Sequence, residues 1–317
     1  MTDTQNEVFK TPVNKIRLFE HGAPGSQNLK LTRKYYTEDM PDGRVKHIVQ
    51  NITDPDIVPY IPDGIGNSTD RQRIPAVLII PGGAFRRLVY NFEGEDVAKW
   101  LNSMGIAAFV LECRLPSDEH DNAEDVPLID AMRAMRVIRG RAQEFGIDEA
   151  KIGVMGFSAG GFMGALLSTA YESDVYADYK YKDEYDKLSA RPDFAVCSYP
   201  VISIDDCIEA GKRYMSEEQV LKRISDSKAK ILHKYNPDKL VRPDMPPVFI
   251  CETDDDRTTL SENSVGFYMA ARKAGVSAEL HIFRTGGHGY GCGDDFAQTG
   301  EWKVLFTKWI KSIGIIS

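Results

Sequence analysis

The sequence predicts an α/β fold: a mostly parallel central sheet with helices on both faces. Short continuous apolar runs read as strands buried on both sides, and helical patterns alternate with them at least six times. The third observation is residues 151–167, where the run Ile152–Met155 enters Gly156-Phe157-Ser158-Ala159-Gly160 and a small-residue helical pattern follows. That stretch reads as strand, sharp turn, helix. At 317 residues with 42% hydrophobic content, the chain has ample material for one large core.

Residues 1–45 are polar and turn-rich, with Gly22-Ala23-Pro24-Gly25 and Pro41-Asp42-Gly43, and are expected to form an irregular arm packed on the core. Residues 46–317 are expected to form the main α/β domain, with a small insertion at about 202–245. Val45–Thr53 and Asp56–Ile61 read as two β segments joined at Asp54-Pro55. Ala76–Ile80, between Pro75 and Pro81-Gly82-Gly83, is a doubly buried strand. Glu93–Met104 has helical spacing, with Val97, Trp100, Leu101 and Met104 on one side, and Ile106–Leu111 is a second buried strand. Asp130–Phe145 is amphipathic and stops at Gly146. Beyond the Ser158 turn come strands at Phe194–Val201, Val248–Cys251 and Ala278–Phe283, and helices at Ser261–Lys273 and Glu301–Ile313. Residues 202–245 interrupt the alternation. They are charged, are helical over Glu217–Lys234, and read as a small cap-like insertion or two surface helices.

The formal charge of −8 argues against nucleic-acid binding and offers no basic face to anionic membranes. No apolar run approaches the length needed to span a bilayer. Met1–Glu7 lacks the features of a secretory leader, so a cytoplasmic location is expected and the sequons Asn51-Ile52-Thr53 and Asn67-Ser68-Thr69 carry no weight. Cys113, Cys197, Cys207, Cys251 and Cys292 are scattered and lack C-x-x-C spacing, so they are expected to be reduced, mostly buried thiols. Trp302 and Trp309 on the last helix suit a homo-oligomer interface or, equally, core packing.

Gly156-Phe157-Ser158-Ala159-Gly160 is G-x-S-x-G in the context that gives it meaning. The glycines permit a turn too tight for Cβ atoms, and the turn lifts the Ser158 hydroxyl to a helix N-terminus, where negative charge is favoured. A turn that merely packs well is the alternative. A serine hydroxyl is a weak nucleophile and needs a base, itself held by an acid. Among the six histidines only His281 and His288 lie beyond the later strands. His281 sits inside a strand pattern. His288, in Thr285-Gly286-Gly287-His288-Gly289-Tyr290-Gly291, follows the last strand on a flexible loop and is the candidate base. The acid belongs after the strand Val248–Cys251, in Glu252-Thr253-Asp254-Asp255-Asp256; spacing does not choose among the three aspartates, and Asp205 or Asp206 is a remote fallback. An oxyanion needs backbone N–H donors from the first strand-to-helix loop and from the residue after the nucleophile. Gly83 and Ala84 in Pro81-Gly82-Gly83-Ala84-Phe85, with Ala159, fit that requirement. No metal-ligand spacing appears and no cofactor is expected.

These motifs, in this order, resemble the bacterial acetyl esterases of the α/β-hydrolase superfamily, a group that includes acetylxylan-type carbohydrate esterases. The resemblance runs from about residue 15 to 312 through Gly22–Gly25, Pro81–Phe85 with Glu93-Gly94-Glu95, Gly105–Leu111, Gly156–Gly161, Glu262-Asn263-Ser264 and Gly286–Gly289. It implies Ser158 as nucleophile, His288 as base and Asp256 as acid. Two departures stand at the acid loop: Glu252 where histidine is frequent, and Arg257 where proline is common. Ala84 replaces a third glycine of the oxyanion loop, and Arg86 and Arg87 behind it face either the substrate or solvent.

The resemblance implies hydrolysis of short acyl esters, acetyl above all, on sugars such as xylo-oligosaccharides, with an oligosaccharide or small-molecule ester as partner. Three other readings share parts of this pattern. A feruloyl esterase differs in its acyl pocket. A prolyl-oligopeptidase-like peptidase needs a large N-terminal propeller, for which 75 residues before the first core strand are too few. A hydrolase-fold ligand receptor is expected to have lost Ser158 or His288.

Overall fold

The structure is a computed structural model that describes residue 9 and residues 13–64, 73–213, 215–225, 228–293 and 298–317. Met1–Glu7, the sequon Asn67–Thr69 and the side chain of Cys207 lie outside the described residues.

In chain order the strands and helices begin with β1 (Ile16–Arg17), β2 (Lys34–Asp39), β3 (Val45–Gln50), β4 (Asp56–Tyr60), β5 (Ile74–Ile80) and β6 (Leu88–Val89). Then come α1 (Asp96–Ser103), β7 (Ala107–Glu112), α2 (Val126–Gly140), α3 (Ala142–Phe145), β8 (Ile147–Phe157), α4 (Ala159–Ala170) and β9 (Ala195–Ser198). The chain closes with α5 (Ile204–Lys212), α6 (Glu217–Ser225), α7 (Lys228–Lys234), β10 (Val248–Thr253), α8 (Ser261–Lys273), β11 (Ala278–Phe283) and α9 (Trp302–Ser312). Among the described residues the main sheet has eight strands in the order β1-β4-β7-β5-β8-β9-β10-β11. From β7 to β11 neighbours are parallel; β1 and β4 are antiparallel additions at one edge.

The sheet centre is apolar because both its faces are covered. β7 is buried along its whole length, and β5 at every position after Ile74, as expected for strands without hydrophobic alternation. α8 and β11 fall on their expected residues. Between β9 and β10, α5, α6 and α7 make up the helical insertion. α2 starts earlier than its pattern suggested, at Val126, because Pro127 suits a first helical turn. It breaks at Arg141, and α3 then ends at Gly146, which takes the left-handed conformation (φ 65°). Trp302 and Trp309 are buried in the core, so neither is part of an exposed aromatic face.

The N-terminal region departs from the irregular arm expected. β1 pairs with β4 at the sheet edge, and β2 pairs with β3 over six residue pairs in a second, three-stranded sheet completed by β6. The strand Lys34-Tyr35-Tyr36-Thr37-Glu38-Asp39 has no apolar alternation, so its β structure comes from tertiary partners. Arg33 bridges Asp56 and Glu112, each at 2.6 Å. Lys15 reaches Glu112 at 2.6 Å, and the Tyr35 hydroxyl donates to Glu112 at 2.9 Å. Burial, reinforced by the charge of Glu112, pushes the Asp56 carboxyl up to about 6.

A second buried pair pins the segment around residue 25 to the core. Arg114 and Asp130 are both fully buried and doubly bonded, with Nη2–Oδ1 at 2.6 Å and Nε–Oδ1 at 3.0 Å. The Arg114 guanidinium also donates to Ser26 Oγ at 2.8 Å and to the Pro24 carbonyl. Removing one member of such a pair strands the other charge away from water. Asp130→Ala should therefore lower unfolding free energy in urea by about 3–5 kcal/mol, and a loss below ~1 kcal/mol would show that water reaches Arg114.

Candidate active site

The turn between β8 and α4 places Ser158 at φ 53°, ψ −118°, a region that side-chain-bearing residues rarely enter. Its neighbours explain how the strain is held. A Cβ on Gly156 would collide with the Gly160 carbonyl, and one on Gly160 with the carbonyl of Ile80. Only glycines let the helix start this close to β5 and β8. The Ser158 amide donates to the Ser198 carbonyl at 3.0 Å, and its own carbonyl accepts from Phe162 and Val201. The hydroxyl is thus fixed over the sheet's C-terminal edge, with the residue 8% exposed.

Ser158, His288 and Asp256 come together. The Ser158 hydroxyl lies 2.8 Å from His288 Nε2, and His288 Nδ1 lies 2.6 Å from Asp256 Oδ2. With the Nδ1 proton donated to Asp256, Nε2 faces the hydroxyl as an acceptor. Asp256 is buried; its Oδ1 accepts from the amides of Thr258 (2.6 Å) and Thr259 (3.0 Å), and its Oδ2 accepts from the Thr259 hydroxyl (3.0 Å). Burial opposes its charge, but the bond and charge of His288 and the two amides outweigh it, holding the carboxyl below the usual range.

The other acidic candidates do different jobs. Asp255 Oδ1 accepts the amides of Gly286 (3.0 Å) and Gly287 (2.8 Å), shaping the loop that carries His288. Asp254 is exposed, and Asp205 and Asp206 sit in the first turn of α5, capped by Ser203. His281 is paired with Glu279 on β11 at 2.7 Å, away from the serine. Glu252, the departure noted at the head of the acid loop, is buried. It accepts from the Thr253 amide (2.9 Å) and the Ser264 hydroxyl (3.2 Å). Burial, with the charge of Asp256 adding to it, pushes the Glu252 carboxyl well up.

In the loop after β5, Gly83 (φ 137°), Ala84 (φ 61°) and Phe85 (φ 61°) take positive φ in succession. Two of the three bear a Cβ, so the loop is strained next to the nucleophile. It is held by the Val89 amide on the Gly82 carbonyl (2.9 Å) and by the Gly82 amide on Glu93 Oε2 (2.8 Å). Among the described residues the Gly83 and Ala84 amides have no protein acceptor. The Ala159 amide, first in α4, has no intrahelical one. Arg87 turns to Glu38 of β2 (2.5 Å), and Arg86 is exposed. An apolar crevice lined by Gly82, Phe85, Leu115, Ala159 and Met163 opens beside these amides, with Phe85 packed edge-on against Phe162. Among the described residues, no group of three or more His, Cys, Asp or Glu side chains converges on a metal position. Nor does any described helix have the length and apolarity to cross a membrane.

Glu93 and Tyr199 complete the surroundings and were not singled out as site residues in the sequence. Their signals are faint: Glu93 falls on a helical pattern, but its first turn is a wide π turn, Asn91–Glu95, which buries the carboxyl. Tyr199 follows β9 at φ 37° and is buried beside His288.

This architecture has solved counterparts. The acetyl ester-xyloside bifunctional hydrolase from Caldicellulosiruptor lactoaceticus is 34% identical over 96% of this chain and 97% of its own, with a TM-score of 0.71. A carboxylesterase from Lactobacillus plantarum, 21% identical over 90% of this chain and 99% of its own, shares the fold at a TM-score of 0.67. The fold and its 34%-identical counterpart place the chain in the α/β-hydrolase class. More narrowly, the chain belongs to the BD-FAE family, whose pattern it matches over residues 65–270. Among curated proteins, an acetylxylan esterase from Xylanibacter ruminicola is 31% identical over 240 residues, 75% of this chain and 45% of that protein. The endo-1,4-beta-xylanase B of Butyrivibrio fibrisolvens is 31% identical over 227 residues, 71% of this chain and 34% of that one. The chain thus spans less than half of the curated relatives it matches.

Glu252 gives a pH-dependent prediction. Its folded pKa is raised, so the native state holds a proton that the unfolded chain releases above its ordinary carboxyl pKa. Its contribution is complete below that value and is lost as pH rises towards the folded pKa. Relative to the parent, Glu252→Gln should gain stability with rising pH through this window, by up to about 1.4 kcal/mol per pH unit. Parallel urea unfolding curves at pH 5, 7 and 8.5 read the difference; a pH-independent offset would mean Glu252 is ionised when folded.

Proposed function

We propose that this protein is a serine esterase that removes short acyl groups, acetyl above all, from sugars such as acetylated xylo-oligosaccharides. The observation that carries the mechanism is the continuous relay from Ser158 Oγ to His288 Nε2 (2.8 Å) and from His288 Nδ1 to Asp256 (2.6 Å). Ser158 Oγ attacks the ester carbonyl while its proton passes to His288 Nε2, forming a C–O bond and a tetrahedral oxyanion. The amides of Gly83, Ala84 and Ala159 hold that oxyanion; Asp256 stabilises the imidazolium. His288 then delivers the proton to the departing sugar oxygen, the C–O bond to the sugar breaks, and an acyl-serine remains. Water, deprotonated by His288, attacks the acyl carbon and releases the carboxylic acid with Ser158 restored. Two relatives supply the substrate class by name, an acetylxylan esterase and an acetyl ester-xyloside hydrolase. The crevice of Gly82, Phe85, Ala159 and Met163, which Phe85 narrows, favours a small acyl group.

Nitrophenyl esters from acetyl to octanoyl, followed by acetylated xylo-oligosaccharides, test this reading. Turnover should be fastest on acetate and should fall about 10⁴-fold or more in Ser158→Ala. Activity untouched by that substitution would sink the nucleophile assignment, and fastest turnover on long chains would sink the acyl preference.

A further inference from the structure

We propose that Glu93 and Tyr199 form a buried clamp that sets the oxyanion loop and the His288 loop in mutual register, making both positioning residues for the reaction. The proposal rests on the roles given above to Ser158, His288 and the loop amides.

The clamp is a continuous chain of hydrogen bonds. The Gly82 amide donates to Glu93 Oε2 at 2.8 Å, and the Tyr199 hydroxyl donates to Glu93 Oε1 at 3.0 Å. The Gly291 amide in turn donates to the Tyr199 oxygen at 3.0 Å. One end therefore grips the residue before the donors Gly83 and Ala84, and the other grips the loop three residues past His288. Space at the first end is tight: a Cβ on Gly82 would stand 2.7 Å from Glu93 Oε2 and 2.9 Å from Ser158 Cβ. The carboxyl and the nucleophile's Cβ thus both border the space beside Gly82.

Tyr199 reaches the remaining parts. Its ring packs edge-on against the imidazole of His288 (centroids 5.0 Å apart) and against Tyr290 (4.5 Å), and tilts against Phe157 (5.9 Å). Its carbonyl lies 3.3 Å from the hydroxyl of Thr259, which also donates to Asp256. Its φ of 37° is one a tyrosine adopts only when its surroundings dictate it. The serine turn, the His288 loop and Glu93 thus meet at one phenol, and the acid loop meets the same residue at its carbonyl.

The bonding pattern suits a carboxylate. Each Glu93 oxygen faces a donor, and the Tyr199 oxygen already accepts from Gly291, so the chain is complete with the carboxylate and frustrated by an added proton. Burial pushes the Glu93 carboxyl up, while the charge of His288, the Tyr199 hydroxyl, the Gly82 amide and Lys46 pull it back. His288 is faced by Asp256 through Nδ1, by the Thr259 hydroxyl and by the Tyr199 ring. When ionised, the Glu93 carboxyl couples to the charge of His288.

Glu93→Gln and Tyr199→Phe keep the volumes and cut the clamp at two points. Each should lower kcat on nitrophenyl acetate by ~10–100-fold with KM changed less than about threefold. The double variant should be about as slow as the slower single one, because both cut one chain. In Glu93→Gln alone, removing the carboxyl whose charge couples to His288 should move the acid limb of kcat/KM to lower pH by several tenths of a unit or more. If Glu93→Gln does not fold, the kcat–KM split of Tyr199→Phe decides. Unchanged kcat, losses that multiply in the double variant, or a lowered Tm with no kcat or pH effect would overturn the clamp. Ser158→Ala, assayed alongside, separates the two readings. Surviving turnover there overturns the esterase mechanism itself; its loss with indifferent Glu93 and Tyr199 variants overturns the clamp alone.

Discussion

Everything at this site depends on how closely α4 approaches the sheet. The helix begins one residue after β8 ends, and its first glycine sits against the carbonyl of Ile80 on β5. That contact forces Ser158 into its unusual conformation and brings the first amide of α4 up to the loop leaving β5. Nucleophile and oxyanion donors are therefore positioned by one packing event, not by two loops adjusted independently. The cost of the strained serine, of order 1–3 kcal/mol, is spread over a core in which β5, β7, β9 and the end of β8 from Ile152 to Phe157 are almost wholly buried.

Three buried carboxyls within this neighbourhood show how environment assigns different roles to one functional group. Asp256 receives two amides, a hydroxyl and an imidazole, enough to keep it charged despite burial. Glu252 receives one amide and one hydroxyl and lies next to that charge, so burial wins and it is driven towards the neutral form. Its protonation leaves Asp256 as the anion facing the histidine, which avoids two repelling charges behind the imidazole. Glu93 stands between them, raised by burial yet bonded through both oxygens.

The strands and the serine turn were legible because their causes are local. A run such as Ala76–Ile80 with proline and glycine at its ends has few alternatives to a buried strand, and the spacing of Gly156, Ser158 and Gly160 encodes the turn directly. The choice among Asp254, Asp255 and Asp256 was not local. Three adjacent carboxylates on one turn point in different directions, and only the path of the His288 loop decides which one meets the imidazole. Resemblance supplied Asp256, and the hydrogen bond to Nδ1 supplies the physical reason. Glu93 and Tyr199 were hidden for a related cause. A glutamate on an amphipathic pattern reads as solvent-facing, and nothing in Tyr199-Pro200 announces that the phenol lies beneath a histidine ninety residues away.

The N-terminal region shows the same limit and changes how the site is understood. Read as an arm, residues 1–45 have no bearing on the chemistry. In the structure β2 and β3 form the sheet onto which β6, the strand directly after the oxyanion loop, is hydrogen bonded. Gln50 donates to the Arg86 carbonyl, and Glu38 holds Arg87, so both residues following the strained turn are tied to that sheet. The sheet in turn is anchored by Tyr35 and its neighbour Arg33 to Asp56 and Glu112, buried at the margin of the main sheet. A loop with two side-chain-bearing residues at positive φ needs support from both sides. The core supplies one through Glu93, and the N-terminal hairpin supplies the other.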